Sequence, residues 1–251
     1  FLKKYYDYFE STVDICNFSP TNLINKKNFD KLFVYCFYTD GTKWSYKLLD
    51  IVQKNCAKKF YLSKIISQIH QEPFIYINYH ELNSVEEIFY NSNNLKSIPS
   101  WRANIKLTSS STSCSYQGEY PLGLTNKASL VSCSPLFNKN SINYFSFVNI
   151  QKSPTIDERK IEILNLKKEK LGEFQVNTNS VNSINLNEIV NLDNDNFYIF
   201  KSQDIGGIPI YLNFSKDLRH LSCEHTHPPV EYLLEGDRFF FQKLKKSFWL
   251  N

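Results

Sequence analysis

Short apolar runs separated by turn residues recur along most of this chain, and their texture predicts strands. From Ile98 onward the segments with strand character are Ala103–Ser109, Ser113–Gln117, Ser129–Cys133, Tyr144–Ile150, Lys160–Leu166, Glu173–Thr178, Ser183–Leu186, Phe197–Ser202, Ile208–Phe214 and Leu221–Thr226. Ile161-Glu162-Ile163-Leu164-Asn165-Leu166 alternates almost cleanly, as a strand with one buried face does. Tyr144-Phe145-Ser146-Phe147-Val148-Asn149-Ile150 is apolar on both faces, which places it centrally. Gly206-Gly207 before Ile208-Pro209-Ile210 reads as a hairpin turn, with Pro209 at an edge or bulge. Such a series predicts an antiparallel β-sandwich over 96–236.

The first 95 residues read as a mixed, helix-rich part. Lys3–Thr12 fits a short aromatic helix, and Leu32–Tyr38 and Phe74–Tyr79 fit strands. Leu48, Leu49, Val52 and Cys56 recur at helical spacing, and Phe60, Ile65, Ile66 and Ile69 continue it. Ser84 is a candidate cap for a helix over Val85–Tyr90, with Glu87 in capping-box position. Over 237–251, Asp237 caps a predicted closing helix, Arg238–Trp249, that gathers Phe240, Phe241, Leu244 and Phe248 on one side. The expected class is therefore α+β, mainly β: an antiparallel sandwich preceded by the helix-rich part and closed by the C-terminal helix.

Composition narrows the picture without changing it. With 251 residues, 42% of them apolar and 16% aromatic, the chain can bury a sizeable core. A net charge of +4 is too mild and too dispersed for a nucleic-acid binder. The main basic group, Arg238, Lys243, Lys245 and Lys246, fits the solvated face of the last helix. The six cysteines form no C-x-x-C pair, so neither a zinc ribbon nor a dithiol redox motif is suggested. Their wide spacing fits buried, reduced thiols. No apolar run approaches the ~20 residues of a membrane span, and Phe1-Leu2-Lys3-Lys4 has no signal-peptide pattern. Together these predict a cytoplasmic protein with six free thiols.

Candidate chemistry concentrates at Ser222-Cys223-Glu224-His225-Thr226-His227, which with His220 holds three of the five histidines. On a strand, Cys223, His225 and His227 share one face, and Glu224 takes the other. His225 and His227 can hold zinc or iron with Cys223, a further ligand coming from Cys114, Cys133, Glu119 or His220. Alternatively, Glu224, His225 and His227 form a catalytic acid–base group. The plain alternative is a strand end entering Pro228-Pro229 with locally hydrogen-bonded histidines.

A second candidate is Ser113-Cys114-Ser115-Tyr116-Gln117-Gly118-Glu119, where Tyr116, Gln117 and Glu119 offer polar and aromatic contacts. It also reads simply as a solvated Ser/Thr strand and turn. Trp101 and Arg102 form a third, able to stack a sugar or to pin the entry into the sandwich. Dinucleotide, phosphate-loop, nucleophile-elbow and metalloprotease motifs are absent. The expectation is a ligand-binding or assembly protein presenting Trp101, Arg102, Tyr116, Gln117, Glu119 and the histidine segment to a small polar molecule, a glycan or a partner chain. The alternative is a hydrolase- or lyase-like enzyme using Glu224, His225 and His227. Either way, at least two of Glu224, His225 and His227 are expected to line one pocket together with a residue of Ser113–Tyr120.

Overall fold

In the computed structural model, the described residues are 8–17, 30–67, 69, 73–90, 103–117, 129–134, 137–193, 197–225 and 247–251. They divide into two compact units, 1–124 with 152–155, and 125–151 with 156–251. Every strand pair in both units is antiparallel.

The first unit contains β1 (Glu10–Asn17), β2 (Lys31–Thr39), β3 (Trp44–Gln53), β4 (Cys56–Tyr61), α1 (Leu62–Ile66), β5 (Phe74–Asn78), α2 (Glu87–Tyr90), β6 (Asn104–Thr108) and β7 (Ser113–Gln117). They form two sheets, ordered β4-β1-β6-β7 and β3-β2-β5. Val13, Ile15 and Ile105 of the first sheet pack on Leu32, Val34 and Val52 of the second. The far side of β2 carries an aromatic layer, in which Phe37 meets the rings of Trp44, Phe74, Tyr76 and Phe89. Residues 152–155 belong to this unit. The Trp44 indole N–H donates to the Lys152 carbonyl at 3.2 Å, and the Thr39 hydroxyl donates to the Pro154 carbonyl at 2.9 Å.

The expected helix-rich N-terminal part is corrected here, because the described part of 1–95 is mainly strand. Thr12 lies in β1 rather than in a helix; residues 1–7 fall outside the described set. The helical spacing of Leu48, Leu49 and Val52 has a specific cause. A register shift opposite Val34 and Tyr35 inserts Leu49 as an extra residue in β3. Leu49 and Val52 then both pack on the same core, three residues apart, which mimics a helical interval. Among the described residues of this part, helix survives only as α1, where Ile65 is buried, and as α2. Ahead of α2, Glu87 reaches back to the Asn83 N–H at 3.1 Å, one residue before the expected cap.

The second unit contains β8 (Leu130–Ser134), β9 (Ile142–Val148), β10 (Glu158–Leu164), β11 (Lys170–Asn177), β12 (Val181–Asn185), a single 3-10 turn (Leu186–Glu188), β13 (Tyr198–Ser202), β14 (Ile208–Phe214) and β15 (Leu221–His225). The sheets run β11-β10-β13-β8 and β12-β9-β14-β15. β9 is a central strand, as its two apolar faces predict. Pro209 pairs with Phe147 of β9, and the β15 ladder begins only at Ile210. Its missing N–H therefore leaves no gap on that side. At Gly207 a Cβ would come within 2.4 Å of the Val148 carbonyl oxygen, so the turn into β14 needs glycine.

The core of this unit joins Phe145, Phe147 and Tyr211 of one sheet to Ile161, Ile163, Phe174, Val176, Tyr198 and Phe200 of the other. Phe145 and Phe200 stack with centroids 4.4 Å apart. The outward face of β10 and β11 carries a ladder of ion pairs, in which Lys160 and Lys170 both engage Glu173. These two lysine hydrogen bonds hold the exposed Glu173 carboxyl down at about 2, from an ordinary value near 4.5. A carboxyl depressed in this way stabilises the fold above pH ~4.5 and loses that contribution as pH falls toward 2. Glu173→Gln is accordingly expected to lower the thermal midpoint modestly at pH 7, where the charged ladder contributes, and to leave it near the parent's at about pH 2, so that its fall with acid is shallower. An unaltered acid limb would show that the ladder carries no linkage.

The predicted closing helix, Arg238–Trp249, lies mostly outside the described residues; 247–250 form one helical turn. Among the described residues, no helix is long and apolar enough to cross a membrane. All six cysteines are free thiols.

Candidate functional site at the β8–β15 edge of the second unit

Among the described residues, β8 and β15 are each the last strand of their sheet. Leu130, Ser132 and Ser134 alternate inward on β8, where all three are buried. On β15, Glu224 pairs with Tyr211, a core residue, and so shares its inward face. The consequence is a polar group between the two sheets. The Ser134 hydroxyl donates to Glu224 Oε2 at 2.6 Å, and the Tyr211 hydroxyl donates to Ser132 Oγ. Burying such hydroxyls in an aromatic core is costly unless they are bonded, and here they bond to one another across 79 and 90 residues of chain.

Glu224 is half-buried, whereas Ser134 is fully buried. The serine therefore fixes one carboxylate oxygen, while Glu224 has no further hydrogen-bond or ionic partner among the described residues. A carboxylate held in this manner is an acceptor for O–H or N–H groups arriving at the edge. Its position follows from alternation along β15: Ser222 and Glu224 share one face and Cys223 takes the other. Glu224 is thus turned toward Ser134, not toward the face that carries Cys223.

The other expected site residues are distributed as follows. His225 ends β15, its backbone in register with Ile210. Tyr116 and Gln117 lie on β7 of the first unit, paired with Ile105 and Asn104. Tyr116 packs against the first unit's core. Trp101, Arg102, Glu119 and His227 lie outside the described residues. Ser113–Gln117 thus belongs to one unit and Leu221–His225 to the other. Among the described residues, no three His, Cys, Asp or Glu side chains gather as metal ligands do.

One group of titratable residues was not anticipated. In the first unit, His80 Nε2 lies 3.3 Å from Glu87 Oε2 and 3.2 Å from Asn78 Nδ2, and the Tyr79 and His80 rings meet edge-on. The Asn83 side-chain amide and the His80 ring both sit on Glu87, and its carboxyl lies below its ordinary value, with the Asn83 bond the main cause. The sequence signal for it was the capping-box glutamate. The group ties the end of β5 to α2 and has a sufficient structural role there.

No family model matches the chain, and neither curated proteins nor solved structures give a match to it.

Proposed function

We propose that the chain is a ligand-binding protein. Its second unit would take a small hydroxyl-rich molecule, such as a glycan, at the edge between β8 and β15. The observation that carries this reading is the Glu224 carboxylate, anchored on one oxygen by buried Ser134 and half-exposed at the edge of a sandwich. Its acceptor is pre-positioned, so binding costs little ordering of the side chain. A sugar diol fits the chemistry, since a hydroxyl donates to a carboxylate in a short charge-assisted bond. Fold alone supports binding only by analogy, and it is the fixed carboxylate that gives the reading a location.

The test is an array of neutral and acidic glycans probed with the purified chain and with Glu224→Gln. The substitution keeps the shape and removes the charge. The expected outcome is at least a tenfold loss of affinity for any bound glycan, from a charge-assisted bond of about 1.5–3 kcal/mol, with the thermal midpoint within a few degrees of the parent. An array without a bound glycan, or affinity unchanged in the variant, would remove glycans and this edge from the account.

A further inference from the structure

Glu224 carries the one carboxylate of the four strands around the proposed site. β8, β9 and β14 hold no Asp, Glu, Lys or Arg, and β15 adds only His225. The fully buried Ser134 hydroxyl bonds Glu224 Oε2 at 2.6 Å, but it is neutral, so it satisfies an oxygen without balancing the charge. Among the described residues, no Lys, Arg or His side chain pairs with Glu224. The cations of the surrounding elements are engaged or placed elsewhere. Lys201 of β13 stands opposite Val131, on the outward face, and lies 3.8 Å from Glu162. Lys216 and Arg219 stand in the β14–β15 turn, where Arg219 pairs with Asp217. That turn ends at Leu221, about 10 Å along the strand from Glu224. Lys139 lines a cavity with Asn187–Leu192. Asp193, bonded through its backbone N–H to Tyr198, the β13 partner of Ser134, adds an acid to this end rather than a cation.

We propose that the glycan taken at this edge is an amino sugar, its ammonium on Glu224 and a neighbouring hydroxyl on Ser222. This names the ligand class for the β8–β15 edge and rests on the reading of that edge as a glycan site. A half-buried carboxylate without a counter-charge keeps a desolvation cost that a cation offsets and a second anion worsens. A sugar hydroxyl supplies a hydrogen bond and leaves the charge as it was, whereas an ammonium supplies both. Acidic sugars are repelled for the same reason. A metal ion is a poorer fit, because among the described residues no second or third ligand side chain gathers beside this carboxylate. Ser222 provides the second contact. It is exposed, shares the face of Glu224, and its hydroxyl has no partner among the described residues. Its cross-strand neighbour Asn213 is already committed to Asn143 Oδ1 at 2.6 Å. Two residues apart on one strand face, Ser222 and Glu224 stand roughly 7 Å from each other, a span that one sugar ring with its substituents covers.

The test is calorimetry on the full chain with three tetrasaccharides of one β-linked glucose backbone, bearing at C2 an amine, an acetamide or a hydroxyl. The pH is kept where the amine is protonated, and cadaverine serves as an amine without a sugar. The parent should bind the amino form at least about tenfold more tightly than the other two, the scale of one charge-assisted bond. That preference should shrink in high salt, which screens a half-exposed charge pair, and vanish in Glu224→Gln. Ser222→Ala, at an exposed position where folding is unaffected, should weaken the amino and hydroxyl forms by a similar factor. Equal binding of the three forms by the parent, all weakened in Glu224→Gln, overturns the ammonium and leaves the glycan reading standing. Preference for the amino form that survives in Glu224→Gln overturns the proposal, because the amine is then read elsewhere. So does cadaverine binding as tightly as the amino tetrasaccharide, which would make the ligand a bare amine. Absence of binding by all three forms overturns it too, and the glycan reading is then decided by the array.

Discussion

Phe200→Ala is expected to lower the stability of the second unit by about 3–5 kcal/mol, the usual cost of emptying a buried phenylalanine site. Phe200 is fully buried, stacks on Phe145 and lies within 6.4 Å, centre to centre, of Phe137, Phe174 and Tyr211 as well. Rings from both sheets therefore meet on this one side chain, and the neighbours are too large to collapse into the space it leaves. Urea unfolding followed at a probe in the second unit reads the effect as a shift in midpoint with little change in slope. A loss below about 1 kcal/mol would mean that the sheets do not close on this ring.

Asn143→Ala should rank next, at about 3–4 kcal/mol, although an asparagine is not an obvious core residue. Asn143 is fully buried at the start of β9. Its amide donates to the Asn138 and Ser141 carbonyls at 2.8 and 2.9 Å. Its oxygen accepts from the Asn138 N–H at 3.0 Å and from Asn213 Nδ2 at 2.6 Å. Removing it leaves several part-buried groups without partners, each worth up to about 1–3 kcal/mol. Asn143→Asp keeps the size and one acceptor but exchanges two donors for charge, so it should be at least as harmful as alanine. Asn143→Asp behaving like the parent in thermal unfolding would show that packing, and not the donors, holds this corner.

The two sites differ in how well the sequence announces them. Phe200 sits in a short apolar run bounded by turn residues, and Ile208–Phe214 and Ser113–Gln117 are strands with the ends their composition gives. Period-two patterning is local, so a strand can be read from its own residues. β3 defeats that logic, because its bulge at Leu49 changes the phase and leaves an apolar spacing of three. The bulge exists only through pairing with β2, which a local pattern cannot contain. Glu224 is legible as a strand residue opposite Cys223 in orientation. Its partner is not, because Ser134 lies 90 residues earlier and on the other sheet. The His80–Glu87 contact was hidden for a similar reason: the spacing of seven suggests a loop closing on a helix cap only once β5 is known to end at Asn78. Register and sheet order, which decide which side chains converge, come from long-range packing.

We propose that ligand is taken at the β8–β15 edge through Glu224, and hydrogen exchange reads that position directly. Amide exchange of the intact chain would be compared with and without the glycan that binds best on the array. Added protection should fall on 130–134 and 221–225 and vanish in Glu224→Gln. Protection at 113–117 or around His80, with the β8 and β15 amides unchanged, would contradict it.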